Sequence, residues 1–484
     1  MIHFKFARHI SLLLESSSEG ENMANGEIKK VLLITIDCFR GDHLHYNGYE
    51  RKITPTMDKL AKEGSNFFMA FSNGPHTHYS FPSILTSTYP LMFEGPKIGA
   101  GRITLAEVMK MLGFKTVGLN SNPFLSEYFG YGKGFDVFND FLSGEEAKKK
   151  SSIAVNLRKK IPKGSIIYRF LQFVDKYMAI KNQKTPYITA DELRSRVIDY
   201  LERYKDEKLF LWAHFMDAHY PYLPSRETME ELGFKDVNDF KKARLFTKML
   251  NSPEKVTPEE AQILINLYDA QIYTIDQEIK KIFEYLDENG MLDETLIVIT
   301  ADHGEEFGEH GDFTHRVDRD KPTLYNVHIH VPLIFYSGNW EYDDVDKNVS
   351  LIDLAPTIVD LVASQKVKKF MGRSLVPLMS KEESEHRAFY SEHEYQESEI
   401  VGNVMKERKK AIAYIEYPYK LIYYEGDNSY QLYNFEEDPE ERKNLINEPD
   451  YQKVALYMKE KIKEHLRKIE MSKVRIRLGR LRKV

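Results

Sequence analysis

Short, unbroken apolar runs alternate with helix-length amphipathic stretches along most of the chain. "KKVLLITIDCF" (29–39) is a run of the first kind, the pattern of a strand buried on both faces. "ITPTMDKLAKEGSNF" (53–67) predicts a helix, and "TLAEVMKMLGFKTVGLNSN" (104–122) a helix feeding a second strand. "KLFLWAHFMDAH" (208–219) predicts a third strand. Residues 267–304 read as a long amphipathic helix, a Gly-containing turn and a fourth strand, and "HVPLIFYSG" (330–338) as a fifth. Strands and helices in this rhythm predict an α/β fold with a mostly parallel sheet flanked by helices on both faces.

Two regions depart from the rhythm. Residues 144–195 are basic, aromatic-rich and helix-like, and read as a helical insertion in a main unit spanning 29–380. After 349–361 the pattern shortens to "RAFYSEHEY", "KKAIAYIEY", "YKLIYYEG" and "YQLYNF", followed by a helix over 451–470. These predict a small C-terminal subdomain, 381–470, built of an antiparallel sheet and a helix. Residues 1–28 are expected to be a disordered lead-in, and 471–484 a frayed basic tail.

Composition narrows the function classes. A chain of 484 residues with 42% apolar and 29% charged residues has room for a large core plus a smaller companion. A net charge of −6 argues against general nucleic-acid binding, which needs a dense positive surface. Cys38 is the one cysteine, so no internal disulfide forms, and a reducing, cytoplasmic setting is expected. No apolar run reaches the ~20 residues of a membrane span.

The candidate chemistry lies at strand ends. The first predicted strand ends at Asp37, the third runs into Asp217 and His219, and the fourth ends at Asp302 and His303. Singly, each acid is a helix cap. Together they crowd carboxylates at the carboxyl edge of a parallel sheet, where ligands bind, and crowding of that kind demands a compensating cation. A hydroxyl to face the cation comes from "NGPHTHYSFPSILTSTYP" (73–90), which contains Thr77 and Ser80.

The stretch from "ITIDCFRGDHLHYNGYERKITPTMDKLAKEGSNF" to "LTSTYP" resembles the opening of the sulfatase branch of the alkaline phosphatase superfamily. "HFMDAHYPYLP", "VITADHGEEFGEHG", "KPTLYNVHIHVPLIFY", "SLIDLAPTIVDL", "MGRSLVPLM" and "YQLYNFEEDPEERKNL" extend the resemblance in order, to about Leu466. It implies a nucleophile at Thr77 rather than Ser80. Sulfatases oxidise a cysteine or serine there to formylglycine, which threonine cannot become by that route. The chain is similar in this to phosphate-transferring relatives. A second acid common after the first is replaced by Cys38.

The resemblance implies one divalent cation held by Asp37, Thr77, Asp302 and His303. The imidazole favours Mn2+ or Zn2+, with Ca2+ and Mg2+ also open. A second cation would need further ligands, for which Asp217, His219 and His310 or His315 are available. It implies that His219 protonates the leaving oxygen and that Lys321 neutralises charge there. Asp42 and His43 read either as partners behind the site or as helix caps. The expected activity is cleavage of a phosphate mono- or diester or a phosphonate ester through a covalent threonine intermediate. A sulfuric ester hydrolase and a catalytically silent binding protein are the alternatives. The expected partner is a small-molecule, glycan or lipid-headgroup ester, with specificity set by the 144–195 insertion and the C-terminal sheet; oligomeric state stays open.

Overall fold

The computed structural model describes residues 14–16, 27–93, 95–99, 101–141, 166–182, 185–315, 323–395 and 408–481. β1 (Lys30–Ile36) is followed by α1 (Pro55–Glu63), β2 (Ser65–Asn66) and α2 (Thr77–Thr86). α3 (Leu105–Met111) leads into β3 (Lys115–Leu119) and then β4 (Val137–Asn139). α4 (Ala190–Arg203), β5 (Leu209–Phe215), α5 (Pro258–Glu288) and β6 (Thr295–Ala301) come next. β7 (Leu333–Tyr336) and α6 (Leu354–Ala363) complete the main unit.

The seven strands lie in the order β2-β7-β6-β1-β5-β3-β4. β7 runs antiparallel to β6 and β2, and the remaining pairs are parallel. α1 and α4 both pack against α5, and α2, α3 and α6 contact one another, giving two helical layers. Every residue of β1, β5 and β6 is buried, which explains their unbroken apolar runs. Strand register sets where the acids emerge. Ile36 stands opposite both Phe215 and Ala301, so Asp37 and Asp302 are the first residues beyond two neighbouring parallel strands.

The C-terminal sheet is a meander of β8 (Phe389–Tyr395), β9 (Lys409–Glu416), β10 (Tyr419–Tyr424) and β11 (Ser429–Asn434). Alternation along β9 serves two cores. Ile412 and Tyr414 join Met458 and Ile462 of α7 (Gln452–Leu481), whereas Ala411, Ala413 and Ile415 join Phe71 and Ile329 of the main unit.

Three expectations change. Leu14–Ser16, inside the expected disordered lead-in, pair antiparallel with Gln365–Val367, and Leu14 is buried in the main core. α7 continues to Leu481 where a frayed tail from 471 was expected, with Lys473 beside Glu470 and Glu394 at 3.7 and 3.9 Å. α4 begins inside the span read as an insertion, yet Leu193, Val197 and Leu201 are core residues packed under α5. The insertion before it is helical over Ile166–Lys181. Among the described residues, no helix is long and apolar enough to cross a membrane.

Leu33, fully buried at the centre of β1, makes the fold's dependence on the sheet measurable. Leu33→Ala is expected to cost about 3 kcal/mol of unfolding free energy in a urea titration, because the surrounding layers cannot collapse into the cavity.

Candidate active site

Asp37, Thr77, Asp302 and His303 meet in one buried pocket at the carboxyl edge of the sheet. Asp37 and Asp302 arrive from β1 and β6 as the register dictates, and Thr77 is the first residue of α2. Thr77 Oγ1 lies 3.3 Å from His303 Nε2 and 3.5 Å from Asp37 Oδ2. His303 Nε2 stands 3.7 Å from Asp37 Oδ1 and 3.5 Å from Asp302 Oδ2. Ser80 is not part of this group: its hydroxyl turns back to donate to the Thr77 carbonyl at 3.2 Å.

The hydrogen-bond directions decide what the pocket can hold. The Gly304 carbonyl can only accept, so His303 Nδ1 donates to it at 2.8 Å, and Nε2 turns a lone pair toward the two carboxylates. Asp302 Oδ2 is buried without a hydrogen-bond partner. Acceptors therefore face acceptors. Burial and the Asp37 carboxylate push Asp302 up to about 7. Burial opposes charge on Asp37 too, but the hydrogen bond from His214 and the nearby His219 and His303 hold it well below the usual carboxylate range. A divalent cation fits this donor set, since it would satisfy the orphaned oxygen, the lone pair and both carboxylates at once. The ligand atoms of Asp37, His214 and Asp302 lie within 4.8 Å of one another, as do those of Asp37, Cys38 and His303.

Further residues around the pocket fix this geometry. Trp212 Nε1 donates to Thr35 Oγ1 at 2.9 Å, so the Thr35 proton goes to His214 Nδ1 at 2.9 Å. His214 Nε2 is then the donor to Asp37 Oδ2 at 3.2 Å. The alternation of β5, which puts Trp212 and His214 on one face, was the available signal. Asn122, beyond β3, donates to Asp37 Oδ2 at 2.9 Å and reaches Thr77 Oγ1 at 3.5 Å. Cys38, in a left-handed backbone conformation, donates its thiol to Asp37 Oδ1 at 2.9 Å and its amide to Asp302 Oδ1 at 3.3 Å. Burial and the flanking carboxylates push that thiol up.

Other expected residues go elsewhere. Asp217 accepts the Ala190 amide through Oδ1 at 3.1 Å at the start of α4, and its Oδ2 is buried without a hydrogen-bond partner. His310 stacks on Tyr325 at 3.7 Å. Of the residues considered for a second cation, His219 and His315 do meet, and Cys38 meets them, the three ligand atoms lying within 4.8 Å of one another. His219 donates Nδ1 to the Tyr220 carbonyl at 2.6 Å, leaving Nε2 free. His315 is oriented by buried Glu305 at 3.0 Å, itself held by the Tyr222 hydroxyl at 2.8 Å. Asp42 pairs with Arg40, and His43 with Asp269 at 2.8 Å, so both brace the loop after β1. Arg40 ties that loop to the one after β6 through the Glu305 carbonyl at 3.1 Å and the Glu309 carboxylate. Lys321 lies outside the described residues.

Both the raised carboxyl and its bracing are measurable. Folded Asp302 keeps its proton to about 7 against an ordinary value of 3.8, so between these values the folded state binds more protons than the unfolded. Metal-free protein should lose thermal stability as pH rises from about 4 to about 7, and Asp302→Asn should reduce that fall. His214→Phe, which releases Asp37, should weaken divalent-cation affinity by about tenfold in a chelator-competition titration.

Comparison with known proteins agrees with this architecture. The sulfatase family model matches residues 29–364, and a model of the N-sulphoglucosamine sulphohydrolase C-terminal region matches 308–468. An arylsulfatase of Clostridium perfringens is 23% identical over 472 residues, covering 89% of this chain and 92% of the relative. An N-acetylglucosamine-6-O-sulfatase of Bacteroides thetaiotaomicron is 28% identical over 194 residues; the match covers 38% of this chain and 32% of that longer protein's length. The phosphonate monoester hydrolase of Agrobacterium radiobacter shares the fold, with a TM-score of 0.64 at 20% identity over 91% of this chain and 96% of that one. On the family match and the shared fold together, the chain belongs to the sulfatase family, a family of ester hydrolases.

Proposed function

We propose that the chain cleaves phosphate mono- or diesters, or phosphonate esters, through a covalent intermediate on Thr77. The observation that carries this reading is the Thr77 hydroxyl itself, buried between His303 Nε2 and Asp37 Oδ2 at the first turn of α2. A threonine cannot supply the formylglycine of sulfate-cleaving relatives, whereas an alcohol in this setting suits phosphoryl transfer. When bound by Asp37, Thr77, Asp302 and His303, a divalent cation supplies Lewis-acid chemistry that makes an alcohol nucleophilic at neutral pH.

The chain's own groups do the rest. Thr77 Oγ1 attacks phosphorus in line, and its proton departs toward Asp37 Oδ2, which the hydroxyl already faces at 3.5 Å, as the bond to the leaving oxygen breaks. The free amides at the start of α2 favour the anionic centre. Asn122, whose amide already reaches Thr77 Oγ1, orients the nucleophile. With Nδ1 committed to the Tyr220 carbonyl, the imidazolium form of His219 gives its Nε2 proton to the leaving oxygen and takes one back from the water or alcohol that follows. Water, or an acceptor alcohol, then takes the phosphoryl group from Thr77 and restores the hydroxyl.

Sulfuric ester hydrolysis is the second reading, favoured by the arylsulfatase that matches 89% of this chain. Parallel assays with p-nitrophenyl phosphate, bis-p-nitrophenyl phosphate, p-nitrophenyl phenylphosphonate and p-nitrophenyl sulfate separate the two. Turnover of a phosphorus ester with a phosphothreonine or phosphonothreonine adduct on the Thr77 peptide, found by mass spectrometry after acid quench, is the expected result; turnover of the sulfate alone overturns it. Thr77→Ala should lower kcat by about a thousandfold or more. His219→Gln should depress kcat/KM more for an alkyl ester than for a p-nitrophenyl ester, because p-nitrophenolate departs with little help from an acid.

A further inference from the structure

The end of α7 carries a second apolar face that the packing of the subdomain does not use. Along its earlier turns, Ala455, Met458, Ile462 and Ile469 are buried on one side, against the sheet. Met471, Val474 and Leu478 follow at spacings of three and four, the helical period, and so share one side as well. At about 100° per residue, that side lies nearly opposite the buried one. The exposures agree: Met471, Val474 and Leu478 are 57%, 54% and 54% exposed. Single exposed apolar side chains are ordinary, but three along one helix face form a patch, and patches mark contact surfaces.

Charge sets this end of the helix apart from the rest of the protein. The sequence from 471 to 484, "MSKVRIRLGRLRKV", holds six cations and no acid, in a chain whose net charge is −6. Everything before it is therefore acidic on balance, and the basic residues are concentrated where the apolar stripe is exposed. Arg475, between Val474 and Leu478 in the chain, is itself exposed.

The pairing of stripe and charge selects the occupant. Nucleic-acid phosphates would answer the cations but leave the apolar side chains in water. A second copy of this chain would cover the stripe only by bringing two arginine-rich ends together. An anionic lipid surface answers both. Acyl chains receive the apolar side chains, and the long stems of lysine and arginine reach from that layer to the headgroups. We propose that the end of α7 docks the protein on an anionic membrane surface, with Met471, Val474 and Leu478 inserted and the surrounding cations on lipid headgroups. The docking is separate from the chemistry at Thr77 and holds for an ester of phosphorus or of sulfur.

The test mixes the full chain with sedimentable vesicles of phosphatidylcholine, either alone or with about one third phosphatidylglycerol, at low and high salt. Binding to the anionic vesicles, little to the neutral ones, and release by salt are the expected results. Val474→Ser/Leu478→Ser should weaken the binding about tenfold through lost apolar burial, and Arg475→Gln/Arg477→Gln/Arg480→Gln about a hundredfold. Because Val474, Arg475 and Leu478 are exposed, thermal unfolding of the serine variant should match the wild type. Leu478→Trp places a reporter in the stripe, and its emission should shift to the blue on the anionic vesicles alone. No binding to those vesicles, equal binding to both kinds, or binding untouched by either set of replacements overturns the proposal. So does a dimer in sedimentation velocity that the serine variant converts to monomer, since a second copy then covers the stripe. Capture of duplex DNA in place of vesicles overturns it too.

Discussion

Electrostatic frustration between acceptors governs this molecule. Two carboxylates, an imidazole lone pair and a hydroxyl oxygen converge in a pocket from which water is largely excluded. Without a positive charge among them, one carboxylate is forced to keep its proton up to about 7, and one of its oxygens is left with no partner. Such an arrangement persists only if surrounding structure enforces it, and here it does. Arg40 ties the loops after β1 and β6 together, and Tyr268 donates to the Cys38 carbonyl at 2.6 Å while accepting the Arg40 amide at 3.0 Å. The Trp212–Thr35–His214 relay aims Asp37 from behind. This gathering of acceptors fits a cation placed among them.

The same economy of construction shapes the smaller subdomain. Its sheet is buried on both faces, one against α7 and the other against the main unit. A two-sided sheet of this kind cannot swing freely, because moving it would expose Phe71, Ile329 and their partners. Lys420, fully buried, is paired with Glu441, which also accepts the Asn326 amide at 2.6 Å from the main unit. The subdomain is thus packed firmly on the main unit, with the His393 ring 4.6 Å from that of His76.

Much of this architecture is readable in the chain because the relevant signals are local. Five apolar runs became five strands of one sheet, since a strand buried on both faces is apolar at most of its positions. That Asp37, Asp302 and His303 come together was legible because strand ends carry them, whereas Thr77 was picked out from Ser80 by the family resemblance. Asn122, His214 and Glu305 were not legible. His214 reads as one polar residue in an apolar strand, and Asn122 as an ordinary loop residue, until β1, β3 and β5 are set side by side. Asp217 misled for the opposite reason: it sits at a strand end like Asp37, but the start of α4 claims it.

By itself, then, the sequence determined the elements, their order and the acids at their ends, because hydrophobic periodicity and strand termini are written in neighbouring residues. Tertiary structure alone decided which of those acids share a pocket, which hydrogen bonds each histidine nitrogen makes, and that a C-terminal strand packs beside His76. Register between strands and hydrogen-bond direction are relations between distant residues, and they exist only once the chain has closed on itself.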